Sequence, residues 1–202
     1  MPKRDFLTVT DLTAAELTDV LDLAAALKRD LAGGRLRTPM AGQVLGLIFH
    51  KPSLRTRVSF ESGWARLGGF AMYLSNAELG MGTREAVKDI GRVLSRYLDA
   101  IMIRTFSHAW VDELAAESTV PVINGLTDGF HPCQILADLQ TVRESFPDLT
   151  GKRVAFVGDG NNVCRSWMNA ARRLPFAFTL CCPEGFEPEP QFMETVTAET
   201  AD

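Results

Sequence analysis

The sequence has 202 residues, of which 46% are hydrophobic and 23% charged, with a formal net charge of −4. That is ordinary for one or two globular domains, and the negative balance gives no general attraction to nucleic acid or to an anionic membrane. No apolar run is long enough to span a bilayer, and no apolar segment follows Met1-Pro2-Lys3-Arg4-Asp5, so neither a membrane anchor nor a signal peptide is expected.

Thr13-Ala14-Ala15-Glu16 has the spacing of a capping box. Leu17, Val20, Leu21, Ala24, Leu27 and Leu31 then mark one face of a helix, which Gly33-Gly34 ends. The apolar run 43–49 reads as a buried strand. Phe60, Trp64 and Leu67 recur at helical spacing, so Ser53 to Arg57 should lie where that strand ends and a helix begins. Free N–H groups and the positive end of the helix dipole gather at such a point. Ser53, Arg55, Thr56 and Arg57 pack two hydroxyls and two guanidiniums into five residues, which suits a phosphate with several acceptor oxygens. A capping serine followed by a solvated basic turn would have the same spacing.

Gly68-Gly69 stops the helix, and Phe70 to Leu74 reads as a second strand. Ser75 to Thr83 is predicted as a loop. A helix from about Arg84 should carry Val87, Ile90, Val93, Leu94 and Tyr97 at helical spacing. Ala100 to Ile103 is a third strand, with Arg104 just beyond it. Ser107 is a plausible N-cap for a helix that buries Val111, Leu114 and Ala115. Val120 to Ile123 is a fourth strand, and Asn124 to Phe130 a glycine-rich loop. His131-Pro132-Cys133-Gln134 opens a helix with Pro132 at its first position and an apolar stripe of Ile135, Leu136, Leu139, Val142 and Phe146.

Pro147 to Lys152 is the expected boundary between domains 1–147 and 148–202. A strand at Arg153 to Val157, a turn at Gly158 to Asn162, a helix to about Leu174 and a strand at Phe176 to Cys181 follow. One more helix could begin at Gln191. Strands alternating with helices predict an α/β fold, a parallel sheet flanked by helices. Ser53–Arg57, Arg104, His131 and Gln134 then all follow strands at the carboxyl edge of one sheet, where open α/β sheets bind ligands.

Cys133, Cys164, Cys181 and Cys182 show no metal or redox spacing, and reduced thiols in a cytoplasmic protein are expected. His50, His108 and His131 lie far apart and form no zinc pattern. Gly158-Asp159-Gly160 lacks the third glycine of a dinucleotide fingerprint, since position 163 is Val163. Neither metal nor cofactor is expected.

Three motifs resemble the transcarbamoylases, and among them the ornithine carbamoyltransferases. Ser53-Leu54-Arg55-Thr56-Arg57 followed by Ser59-Phe60-Glu61 is similar to the carbamoyl phosphate motif, with Leu54 where threonine is usual. His131-Pro132-Cys133-Gln134 with Leu136-Ala137-Asp138 resembles the second motif, and Arg104-Thr105 the arginine that closes over carbamoyl phosphate. Gly158-Asp159-Gly160-Asn161-Asn162 looks like the ornithine branch. The resemblance runs from about residue 6 to about residue 190.

It implies a carbamoyl phosphate domain followed by an α/β domain for ornithine, and carbamoyl transfer to L-ornithine giving L-citrulline and phosphate. It implies that Ser53, the Leu54 amide, Arg55 and Thr56 hold the phosphate. Arg104 and His131, with Thr56, would polarise the carbonyl, Gln134 would accept from the carbamoyl nitrogen, and Asn162 would contact ornithine. A homotrimer, or a higher multiple, is implied. Gly80 stands where the family commonly has a glutamine that reaches a neighbouring subunit's site. The family's later ornithine motifs are not found in 180–202, so the second domain reads as incomplete. A chain that binds carbamoyl phosphate without turnover is the alternative, and an unrelated phosphate-binding module a third.

Overall fold

The computed structural model describes residues 3–193. The first unit runs α1 (Ala14–Ala32), β1 (Val44–Phe49), α2 (Leu54–Arg66), β2 (Phe70–Ser75), α3 (Asn76–Leu79), α4 (Val87–Leu94), β3 (Ala100–Arg104), α5 (His108–Glu117), β4 (Val122–Leu126) and α6 (Pro132–Ser145). After a short linker come β5 (Arg153–Val157), α7 (Asn162–Ala171) and β6 (Ala177–Cys181). The strands form a parallel four-stranded sheet of order β2-β1-β3-β4 and a parallel pair β5-β6.

The central strands are apolar on both faces because both faces are covered. Leu45, Leu47 and Phe49 of β1 point to one side, where Phe60 and Trp64 of α2 pack on them. Ile48, Ile101 and Ile103 point to the other, against Val87 and Ile90 of α4 and Val111 of α5. Leu47, Ile48, Ile101, Met102 and Ile103 are fully buried, each removing side-chain area worth about 1.5–3 kcal/mol. A further core joins Leu17 and Leu21 of α1 to Ile135 and Leu139 of α6 and to Trp167 and Ala170 of α7. That core bridges the expected boundary at 147–152.

The elements follow the expected order, with local differences. The Thr13 capping box forms, but Val20 and Leu31 are exposed, and α1 buries Leu17, Leu21 and Asp30. Asp30 is neutralised by Arg35 and Arg37 at 2.8 and 2.6 Å. The expected loop at 75–83 contains α3, started by a second capping box between Ser75 and Glu78. The next helix begins at Val87, not Arg84; Val93 faces solvent and Tyr97 lies beyond the helix end. Ser107 stands at an N-cap but makes no side-chain capping bond. The Phe146 end of the α6 stripe is exposed.

The fourth strand is displaced to Val122–Leu126, so Asn124 and Gly125 lie in the sheet and not in a loop. The register against β3 slips there, Ile103 facing Asn124 and Arg104 facing Leu126. Gly125 fits this bulge because a Cβ would stand 2.3 Å from the Met102 sulfur. Helical residues at 190–193 match the start of the expected last helix, whose remainder lies outside the described residues.

Candidate active site

The chain passes from β1 outward to β2, then returns to lay β3 on the opposite side of β1. That reversal opens a crevice between the loops after β1 and β3, the place where open α/β sheets bind ligands. The cleft there has a volume of about 570 Å³. Its walls include Ser53, Arg55, Thr56, Arg104, His131 and Gln134, six of the expected site residues. A separate apolar depression of about 270 Å³, between α1 and α2 near Leu36, lies away from them.

Local chemistry sets the first wall. Ser53 caps α2, accepting the Thr56 N–H at 3.3 Å and donating to the Thr56 hydroxyl at 3.1 Å. Arg104 Nη1 donates to the same Thr56 oxygen at 3.3 Å. The Thr56 oxygen therefore accepts twice, and its own proton remains to donate into the cleft. The Arg104 carbonyl accepts from the His50 and Lys51 N–H groups at 2.9 and 3.2 Å, which pins the loop after β1 to the end of β3.

Arg57 does not join this wall. Its Nε donates to Glu61 at 2.9 Å and its guanidinium stacks 3.9 Å from the Tyr73 ring centre. The turn thus offers the cleft one guanidinium, with Arg104 supplying the second from β3. The Leu54 side chain is exposed and outside the cleft. Its N–H is the first of α2, a position that helix geometry leaves unpaired.

His131 sits at the N-cap of α6 but makes no side-chain cap, so the ring is not used as a structural plug. Its Nδ1 and the Arg104 Nε are buried without a hydrogen-bond partner among the described residues. Burial, and then the Arg104 charge, depress the imidazole to about 4, so it is neutral near pH 7. Burial and the nearby Arg55 charge lower Arg104. Two guanidiniums forced together beside a helix N-terminus favour a multiply charged oxyanion.

Cys133 also lines the cleft, but burial pushes its thiol up to about 12, which rules it out as a nucleophile at neutral pH. Gln134 donates its amide nitrogen to Asp138 at 2.8 Å. Asn162 is not brought to the cleft wall. Its amide nitrogen donates to the Thr127 carbonyl at 2.6 Å, while its neighbour Val163 lines the cleft.

Sequence reading passed over Ser59 and Asp138 as wall residues. Both stand one helical turn beyond an assigned residue, Arg55 and Gln134, which was the available signal. Among the described residues no cluster of three or more His, Cys, Asp or Glu side chains could hold a metal ion, and no helix is long and apolar enough to cross a membrane.

Fold and cleft together define an open parallel α/β protein with a cleft lined by Arg55, Arg104 and His131 at its switch point. Residues 4–144 match the family model described as aspartate/ornithine carbamoyltransferase, carbamoyl-P binding domain, and residues 150–202 match the Asp/Orn binding domain of the same family. The chain belongs to the aspartate/ornithine carbamoyltransferase family. It is 47% identical over 200 residues to an ornithine carbamoyltransferase of Syntrophus aciditrophicus, covering 99% of this chain and 66% of that protein. For the Acinetobacter baylyi ornithine carbamoyltransferase the identity is 49% over 193 residues, covering 96% and 63%. The solved ornithine carbamoyltransferase of Pyrococcus furiosus superposes with a TM-score of 0.95 at 44% identity, over 99% of this chain and 64% of that one. The chain therefore spans about two thirds of the length of these relatives, 66% and 63% for the two curated ones.

Proposed function

We propose that the cleft binds carbamoyl phosphate and serves transfer of its carbamoyl group to the δ-amine of L-ornithine, giving L-citrulline and phosphate. The observation that carries this reading is the convergence of Arg55, Thr56, Arg104 and a neutral His131 on one cleft at the switch point. The relatives named above, all ornithine carbamoyltransferases, support it.

In this reading Ser53, the Leu54 N–H, Arg55 and Thr56 hold the phosphate. Arg104, His131 and Thr56 donate to the carbonyl oxygen, and Gln134 accepts from the carbamoyl nitrogen. The neutral δ-amine attacks the carbonyl carbon, and a tetrahedral oxyanion forms against donors already in position. The bond from carbon to the phosphate oxygen then breaks. Phosphate leaves with that electron pair and takes the proton of the new amide nitrogen. His131 acts as a neutral donor, because an imidazole at about 4 is not protonated at pH 7. Alignment of two bound substrates lowers the barrier by about 7–11 kcal/mol.

The domain division proposed is 1–147 for carbamoyl phosphate and 148–202 for ornithine, supported by the separate sheets. A trimer, or a multiple of one, is proposed from the family resemblance. The exposed apolar side chains of Phe70 and Met72 on the edge strand β2 support it. A light-scattering mass of one chain at micromolar concentration would count against the trimer. A cytoplasmic setting is supported by four free cysteines among the described residues.

Calorimetric titration with carbamoyl phosphate tests the site, and a citrulline assay tests the transfer. Binding without turnover is the second reading for the 202 residues alone. The engaged amide of Asn162 favours it, since that is the one ornithine contact expected here. Turnover of about 1–1000 per second at saturating substrates would overturn this second reading.

A further inference from the structure

We infer that Asp138 is a positioning residue that makes the cleft select an amide-bearing phosphate, by locking the orientation of the Gln134 side chain. The inference rests on the carbamoyl phosphate reading and adds to it a residue with no role there. Gln134 and Asp138 stand four residues apart on α6, so they share one helix face. Both line the cleft, and the Gln134 Nε2 donates to Asp138 Oδ1 at 2.8 Å.

A free glutamine amide can present either end. Its NH2 group donates and its oxygen accepts, and the two exchange by a half-turn of the terminal torsion. A carboxylate only accepts. Beside Asp138 the flipped amide would set oxygen against oxygen, so the NH2 end is held on Asp138 and Oε1 is left as the free end. Oε1 can only accept. A ligand whose carbonyl carbon carries an NH2 group satisfies it. A ligand with a methyl group in the same place leaves a polar atom unpaired, which disfavours it. Acetyl phosphate is that second ligand, since it has the same phosphate and carbonyl but no N–H donor.

A Gln–Asp pair on a helix could also serve only to stabilise α6, and the test separates the two roles.

The experiment is calorimetric titration of the 202-residue chain with carbamoyl phosphate and, separately, acetyl phosphate. It uses the parent, Asp138→Ala, Asp138→Asn, Gln134→Ala and the double variant Gln134→Ala with Asp138→Ala. The ratio of the two affinities is the readout. Asp138→Ala should weaken carbamoyl phosphate by roughly three- to tenfold, the range for one neutral hydrogen bond, and leave acetyl phosphate unchanged or tighter, because the freed amide no longer has to leave its oxygen unpaired. Asp138→Asn keeps a partner on the helix but accepts or donates, so it should lose part of the discrimination even where the alanine variant folds poorly. Gln134→Ala should match Asp138→Ala, and the double variant should lose no more than either. Equal losses for both phosphates, an unchanged ratio, or additive losses would each overturn the positioning role. If the parent binds neither phosphate, or Arg55→Ala weakens neither, the carbamoyl phosphate reading fails and this inference fails with it.

Discussion

The Ser166 hydroxyl accepts the His131 backbone N–H at 2.8 Å and donates to the Asn162 carbonyl at 2.7 Å. A helix of the second unit thereby fixes the backbone of a cleft residue in the first. Ser166 is buried, and the Asn162 amide and the Arg165 guanidinium reach the same loop through the Thr127 and Asp128 carbonyls, both at 2.6 Å. Ser166→Ala removes the acceptor and strands a donor, at a cost of about 1–3 kcal/mol. The expected result is a lower urea midpoint together with weaker carbamoyl phosphate binding, because His131 is released. A midpoint unchanged from the parent would show that this bond contributes nothing.

Arg55 and Arg57 should behave in opposite ways. On the proposed reading Arg55→Ala removes a charge-assisted contact to phosphate, and it should weaken carbamoyl phosphate binding by about 2–3 kcal/mol. Arg57 is engaged with Glu61 and Tyr73, so Arg57→Ala should leave that affinity within about twofold while costing a fraction of a kcal/mol in stability. Calorimetry on both variants checks this. Equal losses would mean that Arg57 leaves Tyr73 when ligand enters.

These two arginines show which part of the site was legible in the sequence. The Ser53 cap and the start of α2 follow from neighbours in the chain, so they could be read directly. The direction of Arg57 depends on Tyr73 of the adjacent strand, and nothing near residue 57 states that pairing. The same limit applies to β4. Asn124 and Gly125 have loop chemistry, but the Met102 sulfur demands a residue without a Cβ and the sheet carries on through it. Asn162 was assigned by motif alone, and its amide is taken by a carbonyl on another element. Local signals placed each loop at the sheet edge. Which atoms face the cleft is set by contacts between elements.

Gly80 stands where the family resemblance implies a glutamine, and Gly80→Gln should not restore a contact. Gly80 closes α3 with φ +61°, a left-handed conformation that side chains resist. A Cβ there would also lie 2.7 Å from the Arg84 Cβ, and Arg84 is held by the Leu79 carbonyl at 3.3 Å. The substitution should therefore cost about 1–2 kcal/mol from backbone conformation alone. Thermal melting should show a lower midpoint, with no gain in carbamoyl phosphate affinity. A gain in both would mean that the 75–83 segment refolds around the new side chain.

Stability should fall between about pH 6.5 and pH 4.5, and His131 should be one of the causes. Burial, followed by the Arg104 charge, holds its folded-state value at about 4, against about 6.5 for an unfolded chain. In that window the unfolded chain binds a proton that the folded chain refuses. By linkage, unfolding becomes easier as the pH drops, and the stabilisation is present in full only above about 6.5. His108 acts in the same direction, since burial lowers it more than Asp112 and Asp11 raise it. The depressed carboxylates operate lower down. Glu16 is held at about 2, chiefly by its hydrogen bond to Arg4, so its contribution is lost only as the pH falls below the ordinary carboxylate range. The histidine and carboxylate regimes therefore separate on the pH axis. Urea midpoints of the parent and of His131→Gln, measured from about pH 7.5 down to about pH 4.5, should diverge. The parent should lose stability progressively, and the variant should fall less steeply because one of the depressed histidines is gone. Parallel curves would show that the His131 ring titrates alike in the folded and unfolded chains, and the neutral donor role given to it at the carbonyl would lose its footing.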